Sequence, residues 1–419
     1  MDNEKAVLVG IDLTDEFTQL SYVNEHGELY SACLSKDPVK YRIPTMLCAF
    51  SDGSDWLYGE DAAALTPGPA CAKITGLVTL ASENGSLDIF GQNYAADMLL
   101  ERFFKRLLAA LKARIGATDI RGVVITAPSI NEKLKRNLTS ALELLGIRSD
   151  SLRMITHLES FMYYAVSQNK DIWINDVGLF DFEKDSFLFY RLSFGRRSEP
   201  VTIVAEKNDL SSKINYSMLA PEETDRLLFA FENTASMILH KQIVSALYFT
   251  GAGFETAWAD GILKNLCNGR RVFRGQNLYV KGAGYAAQLM FDGGADGYLL
   301  VGDSVLKSSI AIRAFSDGAY REMELASIGQ PCSEAGREIE VIMDKTNELD
   351  FIIHNVLKKD FVCAIVTLET LNLRNDRSNR MNIRLRFPNR DTCVITVRDI
   401  GFGDIYPTNH KIWEQVLKI

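Results

Sequence analysis

The 419 residues carry a formal net charge of -8, with 47% hydrophobic and 24% charged residues. A chain of this length can bury two or three cores, and this composition is typical of a folded globular protein. The acidic balance disfavours nucleic acid as a partner, because a negative surface repels phosphate backbones. No window approaches the roughly 20 apolar residues of a membrane helix, and the acidic start lacks the basic region of a secretion signal. We therefore expect a cytoplasmic protein that binds neither membranes nor nucleic acid.

The cysteines and histidines are dispersed along the chain. No C-x-x-C pair occurs, so we expect buried free thiols rather than a disulfide or a metal site. A zinc site or a hydrolytic triad likewise has no support. The one histidine with a carboxylate neighbour near a plausible site is His157, two residues before Glu159. The cysteines are Cys33, Cys48, Cys71, Cys267, Cys332, Cys363 and Cys393.

The first elements form a meander of three strands, which differs from the strand-to-helix start of a Rossmann domain. An irregular insertion follows at residues 40–91, and then a helix with one apolar face ends at Gly116. A capping box, Ser129 with Glu132, predicts the start of the next helix. The predicted strands are 6–11, 18–23, 28–33, 121–128 and 152–157, and the helices are 97–115, 129–146 and 159–168.

The second stretch repeats this order of elements. A hairpin and a third strand are followed by a long helix entered through Pro221. Such a repeat predicts two similar α/β lobes, residues 1–170 and 171–296, which face each other across a cleft. The predicted strands are 175–182, 186–194, 200–206, 244–251 and 277–282, and the helices are 222–240, 255–267 and 283–290.

The C-terminal stretch has a different sequence pattern. "GGADGYLLVGDSV" is glycine-rich and then apolar, which suits a linker at 297–306 that is able to dock. From residue 307 to 419, seven short alternating runs are separated by turn signals such as "SDGA" and "PNRD". Short strands at this spacing predict a β-sandwich domain.

Three turns are candidates for chemistry. The hairpin turns at residues 12–18 and 181–186 would meet at the cleft, one from each lobe. The third, "TGAGFE" at 250–255, is a glycine-rich turn from a strand to a helix. Its backbone amides suit a phosphate or an adenosine.

These motifs resemble the superfamily of actin, sugar kinases and the seventy-kilodalton heat-shock chaperones, and they are most similar to the chaperone branch. "GIDLTDEFT" resembles the first phosphate loop of that family, and "LFDFEKDSF" stands where the second would be. "YFTGAGFETAWADGIL" is similar to the adenosine motif, and "KGAGYAA" to the closing helix. "YRIPTMLCAF", "GVVITAPSINEKLKRNLTSALELLGI" and "ITHLESFMYYAV" resemble further chaperone segments. The resemblance covers residues 5–292 and extends loosely to the β-sandwich, which binds peptide in the chaperones.

The resemblance implies duplicated ribonuclease-H-like lobes, as in the actin-like ATPases, over residues 1–296. It also implies a nucleotide site for ATP or ADP with Mg²⁺, in which Asp12 and Asp181 would hold the metal. Lys73 would lie on the phosphate side, and Glu159 would orient the attacking water. The nucleotide would contact Thr14, Asp15, Ser186, Gly251, Ala252, Gly253, Phe254 and Gly282.

The two phosphate loops depart from the family pattern. The first has Thr14, Asp15 and Glu16 where the family has a glycine and two threonines, and the second has residues 183–185, "EKD", in place of three glycines. Side chains at these positions block the close approach of the backbone to phosphate. Two like charges about 4 Å apart repel by roughly 4 kcal/mol at an effective dielectric of about 20, or about three decades of affinity.

Two functions follow from this departure. The first is a chaperone-like scaffold that binds a protein or peptide through its C-terminal β domain, with weak or no hydrolysis of nucleotide. The alternative is an active ATPase that couples nucleotide to peptide binding; filament-forming and kinase members of the superfamily are further options. Each candidate also has a plain structural interpretation. The acids of the first turn are common turn formers, Lys73 is a surface lysine, Glu159 is an acid at a helix N-terminus, and "TGAGFE" is a tight turn.

Overall fold

The computed structural model describes residues 6–117, 119–195, 199–358, 360–374 and 376–419. These residues form two compact units. Unit 1 comprises residues up to Arg191 together with Asn208–Asp296, and unit 2 comprises Leu192–Lys207 together with Gly297–Ile419. None of the described helices combines the length and the apolar character that crossing a membrane requires.

The first half of unit 1 is a mixed α/β arrangement, and its predicted elements are confirmed within a few residues. Its strands are β1 (Ala6–Leu13), β2 (Phe17–Val23), β3 (Leu29–Ala32), β4 (Ile43–Pro44), β5 (Leu47–Phe50), β6 (Leu57–Tyr58), β7 (Cys71–Ile74), β8 (Ser86–Ile89), β9 (Gln92–Ala95), β10 (Asp119–Ala127) and β11 (Leu152–Thr156). Its helices are α1 (Gly59–Ala64), α2 (Leu77–Glu83), α3 (Ala96–Ile115), α4 (Glu132–Glu143) and α5 (His157–Val166).

A central sheet organises this half. Its strand order is β11-β10-β1-β2-β3, with β4 also paired to β2. Strand β1 is buried almost throughout and runs parallel to β10 and antiparallel to β2. The leucine and phenylalanine face of α3 is fully buried in the same core, as expected for an amphipathic helix. The insertion at 40–91 is more regular than predicted, because it contains two helices and two small sheets.

The second half of unit 1 contains a hairpin and three helices. The strands are β12 (Asp176–Phe182), β13 (Phe187–Gly195), β14 (Val201–Asp209), β15 (Val244–Thr250) and β16 (Arg271–Arg274), and β13 and β14 continue into unit 2. The helices are α6 (Thr224–Leu239), α7 (Asp260–Leu266) and α8 (Leu278–Phe291). The strand order in unit 1 is β16-β15-β12-β13, above a core rich in phenylalanine.

Three predictions for unit 1 differ from the structure. Residues 277–282 are not a strand, because α8 begins at Leu278; this helix is buried on several sides and so shows no polar face in its sequence. The strand at this place is instead β16. The predicted capping box at Ser129 is also wrong, since α4 begins at the N-cap Asn131. The third is the helix predicted over 255–267, which is shortened to α7 by two preceding 3-10 turns.

Helix α8 crosses β1 and α5 at glycine contacts. A Cβ added to Gly282 would lie 2.1 Å from the carbonyl oxygen of Ser160. A Cβ on Gly10 would lie 2.4 Å from the backbone nitrogen of Gly284. Real Cβ atoms do not come so close to backbone, so these glycines set the distance between the elements. Ser160 and Ser21 hydroxyls donate hydrogen bonds to α8 carbonyls at the same crossings.

Unit 2 consists mainly of two four-stranded sheets. Its further strands are β17 (Tyr298–Val301), β18 (Ser308–Ser316), β19 (Ala319–Ala326), β20 (Glu338–Met343), β21 (Glu348–Asn355), β22 (Phe361–Thr367), β23 (Asn379–Asn389), β24 (Thr392–Asp399) and β25 (Ile412–Lys418). The sheet orders are β19-β18-β21-β22 and β20-β23-β24-β25, and both sheets contribute to one core. The seven predicted strands correspond to β18–β24. Strand β25 was not predicted, because most of its side chains are exposed and no clean alternation results.

The stretch at 297–306, expected to be a linker, is held within unit 2. Strand β17 pairs in parallel with β14. The buried guanidinium of Arg390 donates to the carbonyl oxygen of Gly302 at 3.1 Å, donates also to that of Ala205, and lies 3.5 Å from Asp303. A buried arginine requires such partners, because an unpaired charge is costly to bury.

The cysteine predictions are wrong in part. Cys48 and Cys71 form a disulfide, with Cα atoms 6.5 Å apart. The antiparallel pairing of β5 with β7 brings them together, although they are distant in sequence. Cys267 and Cys363 are free but exposed rather than buried.

The contact of Gly282 with Ser160 predicts a large effect of one methyl group. Gly282→Ala should lower the free energy of unfolding by about 2–4 kcal/mol, because the backbone of α5 has to move. Gly261→Ala, in α7 with no atom near the added Cβ, is the control and should be neutral or stabilising by up to about 1 kcal/mol. Urea unfolding of both variants measures this. Equal effects in the two variants would contradict a rigid crossing.

Candidate functional site

Asp12 and Asp181 occupy matching places in the two halves of unit 1. Asp12 lies near the end of β1 and pairs with Thr126 of β10. Asp181 lies near the end of β12 and pairs with Thr250 of β15. Both carboxylates are buried, with 2% and 5% exposure. The predicted hairpin turns at 12–18 and 181–186 are confirmed.

A stacked pair of rings connects the two carboxylates. Nε2 of His157 lies 2.8 Å from Oδ1 of Asp12. The hydroxyl of Tyr279 donates to Oδ2 of Asp181 at 2.6 Å. The two rings stack with centroids 3.9 Å apart and an angle of 12°. We call these four residues, Asp12, His157, Tyr279 and Asp181, the buried quartet.

Burial dominates the proton equilibria of Asp181 and Tyr279. It raises the pKa of the Asp181 carboxyl, and the neighbouring Asp12 raises it further, against the opposing effects of the Tyr279 hydrogen bond, His157 and Arg42. Burial also raises the pKa of Tyr279 well above its usual value. The Oδ1 atom of Asp181 has no hydrogen-bond partner among the described residues. A carboxyl group in this setting favours its neutral form.

Glu183 connects the second hairpin to the glycine-rich turn. Its Oε2 accepts a hydrogen bond of 3.1 Å from the backbone amide of Ala252. Burial, followed by the nearby Asp181, raises the pKa of Glu183 to about 7, although the Ala252 amide and Arg42 act in the opposite direction. The amide that the sequence assigned to a nucleotide is therefore bonded to a side chain of the same chain.

The glycine-rich turn is also bonded to Gln276. Gly251 donates from its backbone nitrogen to Oε1 of Gln276 at 3.1 Å, and its carbonyl oxygen accepts from Nε2 at 2.9 Å. Gly251 has φ +97°, and an added Cβ would lie 2.4 Å from the carbonyl oxygen of Phe182. Gly253 packs on the Phe182 ring and accepts from the Trp258 indole. Phe254 is buried among aromatic rings of the core.

Arg42 adds a positive charge beside this turn. Its guanidinium donates to Glu255 at 2.6 Å and to Gln276 at 2.8 Å, and it lies 4.0 Å from Glu183. It also stacks over the ring of Phe17, 4.1 Å from the centroid. The side chain is only 23% exposed, so its ion pairs are screened less than surface pairs. Arg42 thus offsets part of the negative charge around Glu183.

The remaining acids of the first turn are engaged elsewhere in unit 1. Asp15 accepts from the backbone nitrogens of Val78 and Thr79 at the start of α2, at 2.7 and 3.2 Å. This contact suits a carboxylate, since the first amides of a helix lack partners within it. Both carboxylate oxygens of Glu16 accept from Nζ of Lys184 at 2.8 Å. The latter pair is exposed and contributes little stability.

Other predicted site residues have structural partners. Lys73 donates to the carbonyl oxygen of Ala63. Glu159 accepts from the backbone and the hydroxyl of Thr156 in a capping box at the start of α5. The Thr14 hydroxyl donates to the carbonyl oxygen of Phe17 within its own turn, and Gly282 is a packing contact. The backbone carbonyl oxygen of Ser186 accepts from the Glu183 amide.

The residues present do not fit ATP with Mg²⁺ in the expected way. The Ala252 amide is bonded to a carboxylate, Lys73 to the carbonyl oxygen of Ala63, and Glu159 to Thr156 at the start of its own helix. Asp12 and Asp181 are bonded to the stacked rings rather than left free as ligands.

Four residues of the site lay outside the sequence prediction. Tyr279 was assigned to a strand, which hid its position in α8. His157 was noticed only for its neighbour Glu159, although its partner is Asp12, distant in the chain. Arg42 and Gln276 carry no local pattern, and only the three-dimensional arrangement brings them to the turn.

Comparison with known proteins identifies two matches. The family described as "Family of unknown function (DUF5716) C-terminal" matches residues 28–303. The "Domain of unknown function (DUF8552)" matches residues 305–419. A search of curated proteins found no match.

The raised pKa of Glu183 predicts a pH-dependent effect of its replacement. Between about pH 4.5 and 7 the folded protein retains a proton that the unfolded chain has released, so the stability that this group contributes is lost as the pH rises through about 7. Glu183→Gln removes this loss and should have wild-type stability below about pH 4.5. Above about pH 8 it should exceed the wild type by roughly 1–3 kcal/mol.

Urea unfolding across this pH range measures the difference. Asp185→Asn, at an exposed position of the same turn, is the control and should change stability little at any pH. A difference between Glu183→Gln and wild type that does not vary with pH would contradict the burial of this carboxyl.

Proposed function

We propose a function for a chain that belongs to the family described as "Family of unknown function (DUF5716) C-terminal". The chain is a chaperone-like scaffold of the actin-like ATPase fold, acts in the cytoplasm and binds a protein partner through its C-terminal β domain. Its nucleotide-type site is filled by its own side chains and hydrolyses ATP weakly or not at all.

The strand arrangement supports duplicated actin-like lobes. The order β2-β1-β10-β11 in the first half corresponds to β13-β12-β15-β16 in the second. Both halves start with a hairpin whose first strand pairs in parallel with the later one. The equivalent pairs, Asp12 with Thr126 and Asp181 with Thr250, extend this correspondence to single residues. A common layout in the two halves is the signature of an internal repeat.

One observation carries the proposal of a filled site. The Ala252 amide, which would face a phosphate in a nucleotide-binding relative, donates its hydrogen bond to the carboxylate of Glu183. A phosphate would have to displace this carboxylate from the amide. A carboxylate that stays charged about 4 Å from the phosphate would repel it by roughly 4 kcal/mol at an effective dielectric of about 20. Arg42 is shared between Glu255 and Glu183, so it offsets only part of this cost.

The alternative, an active ATPase, is favoured by one observation. Asp12 and Asp181 lie at matching strand ends and interact with each other, as a pair that shares a metal would. Against it, each of these carboxylates is already bonded to a buried ring. The scaffold is therefore the function that the contacts support best.

Three exposed arginines on one face of the C-terminal β domain support a protein partner with acidic character, although Glu338 of β20 lies opposite Arg384 and Glu414 of β25 lies on the same face. Arg384 and Arg386 of β23 and Arg398 of β24 are exposed on the outer face of the second sheet. None of the three forms an ion pair or a hydrogen bond within the described residues. Ile412 and Val416 of β25 flank them and are 56% and 60% exposed. Unpaired arginines beside apolar side chains suit an acidic segment with apolar residues. We call this surface the arginine face.

The filled site predicts that the wild type does not bind nucleotide tightly. Isothermal titration with ATP or ADP and Mg²⁺ should detect no binding in the submillimolar range, and phosphate release should match the background. The variant in which Glu183, Lys184 and Asp185 are all replaced by glycine should gain measurable affinity, because it frees the Ala252 amide. Glu206→Gly is the control and should show no nucleotide binding in the same titration.

Two outcomes would overturn the filled site. One is submillimolar binding by the wild type with turnover that Asp12→Ala abolishes, which would support the ATPase. The other is a gain of affinity in the Glu206→Gly control equal to that of the triple variant.

The arginine face predicts a preference for acidic peptides. A fluorescent peptide of alternating glutamate and leucine should bind the full chain, and its lysine–leucine counterpart should not. Arg384→Glu combined with Arg386→Glu should weaken binding of the acidic peptide by at least about tenfold. Arg321→Glu, on the other sheet, is the control and should have little effect. Equal losses in both variants, or binding of the lysine peptide, would contradict the assignment.

A further inference from the structure

Strand β22 forms an exposed edge of the first sheet in unit 2. It is the last strand in the order β19-β18-β21-β22. Phe361, Val362 and Ile365 are 52%, 54% and 53% exposed. The strand reads "FVCAIVT" and contains no charged residue, proline or glycine. An edge of this kind is a template on which another strand can pair.

The other edges of the two sheets in unit 2 are protected by charge. Strand β19 carries an arginine and two glutamates, β20 two glutamates, and β25 a glutamate and a lysine. Charged side chains on an edge discourage pairing with further strands. Among the described residues, β21 is the strand paired with β22, and no backbone hydrogen bond reaches the outer side of β22. Strand β22 is thus the uncharged edge of these two four-stranded sheets.

We propose that β22 pairs antiparallel with β22 of a second copy of the chain. The residues that flank the strand support this partner. Lys358 precedes it and Glu369 follows it, and both are exposed. A two-fold axis near Ala364 brings Lys358 of one copy beside Glu369 of the other, on both sides of the axis. A parallel arrangement would instead place like charges together, which is unfavourable.

The pairing joins two four-stranded sheets into one of eight strands. The interface is isologous, so each contact occurs twice. Phe361, Cys363, Ile365 and Thr367 lie on one face of the strand, and the two-fold axis brings this face of each copy together. The exposed thiol of Cys363 then lies within about two residues of its counterpart, across a strand spacing of about 4.8 Å. This inference does not depend on the state of the nucleotide-type site.

Sedimentation equilibrium of the full chain tests the pairing. The wild type should pass from monomer to dimer as its concentration rises. Ile365→Lys should weaken the dimer by at least about tenfold, because it places charge at an apolar contact twice. Ile342→Lys is the control: it makes the same kind of change at an exposed position of β20 and should leave the dimer unchanged. A wild type that stays monomeric, or equal losses in both variants, would overturn the proposal.

Cross-linking gives a second readout that does not require a change of the edge. In the Cys267→Ser background, a short bismaleimide should join two chains through Cys363, and the further change Cys363→Ser should abolish the product. Ile365→Thr is a milder variant. It should reduce the yield of cross-linked dimer while leaving the circular dichroism spectrum and the thermal midpoint unchanged. A dimer whose cross-link persists without Cys363, or is not reduced in Ile365→Thr, would overturn the antiparallel pairing of β22.

Discussion

The hydrogen bond between the Ala252 amide and the Glu183 carboxylate is the constraint on which the site depends. Burial and the neighbouring Asp181 make this carboxylate costly to charge, yet it accepts the hydrogen bond of the Ala252 amide. Two features hold it there: Arg42 supplies nearby positive charge, and Gln276 holds both backbone polar groups of Gly251. The polar backbone groups of the glycine-rich turn are thereby bonded to side chains of the same chain.

The buried quartet is a second place in unit 1 where buried carboxyl groups are bonded to side chains of the same chain. Carboxylates at the ends of β1 and β12 would repel each other if both were charged and unpaired. The His157 and Tyr279 rings supply a polar partner for each and fill the space between them. The glycine contacts of α8 with β1 and α5 make this possible, because they let Tyr279 approach closely. The geometry of the backbone and the chemistry of the site are thus set by the same helix.

Elements with one polar and one apolar face are predicted correctly, because their hydrophobic residues recur at a regular spacing. Elements that are buried on several sides lack this spacing, and their prediction is wrong. The amphipathic α3 and the alternating β18–β24 were recognised because one face is polar. Helix α8 was divided into a strand and a helix because it is buried on several sides. Asp12, Asp181 and the glycine-rich turn were found from their positions at strand ends. The partners of these residues, such as Arg42 and Gln276, are distant in sequence and become visible only in three dimensions.

The most direct test of the filled site observes the Ala252 amide itself. With alanine selectively labelled with ¹⁵N, its amide resonance can be followed during titration with ATP and Mg²⁺ and during a change of pH. The resonance should stay unchanged with nucleotide and should move as Glu183 titrates near pH 7. The account would be contradicted if the Ala252 amide resonance shifted to saturation at micromolar ATP and did not change with pH.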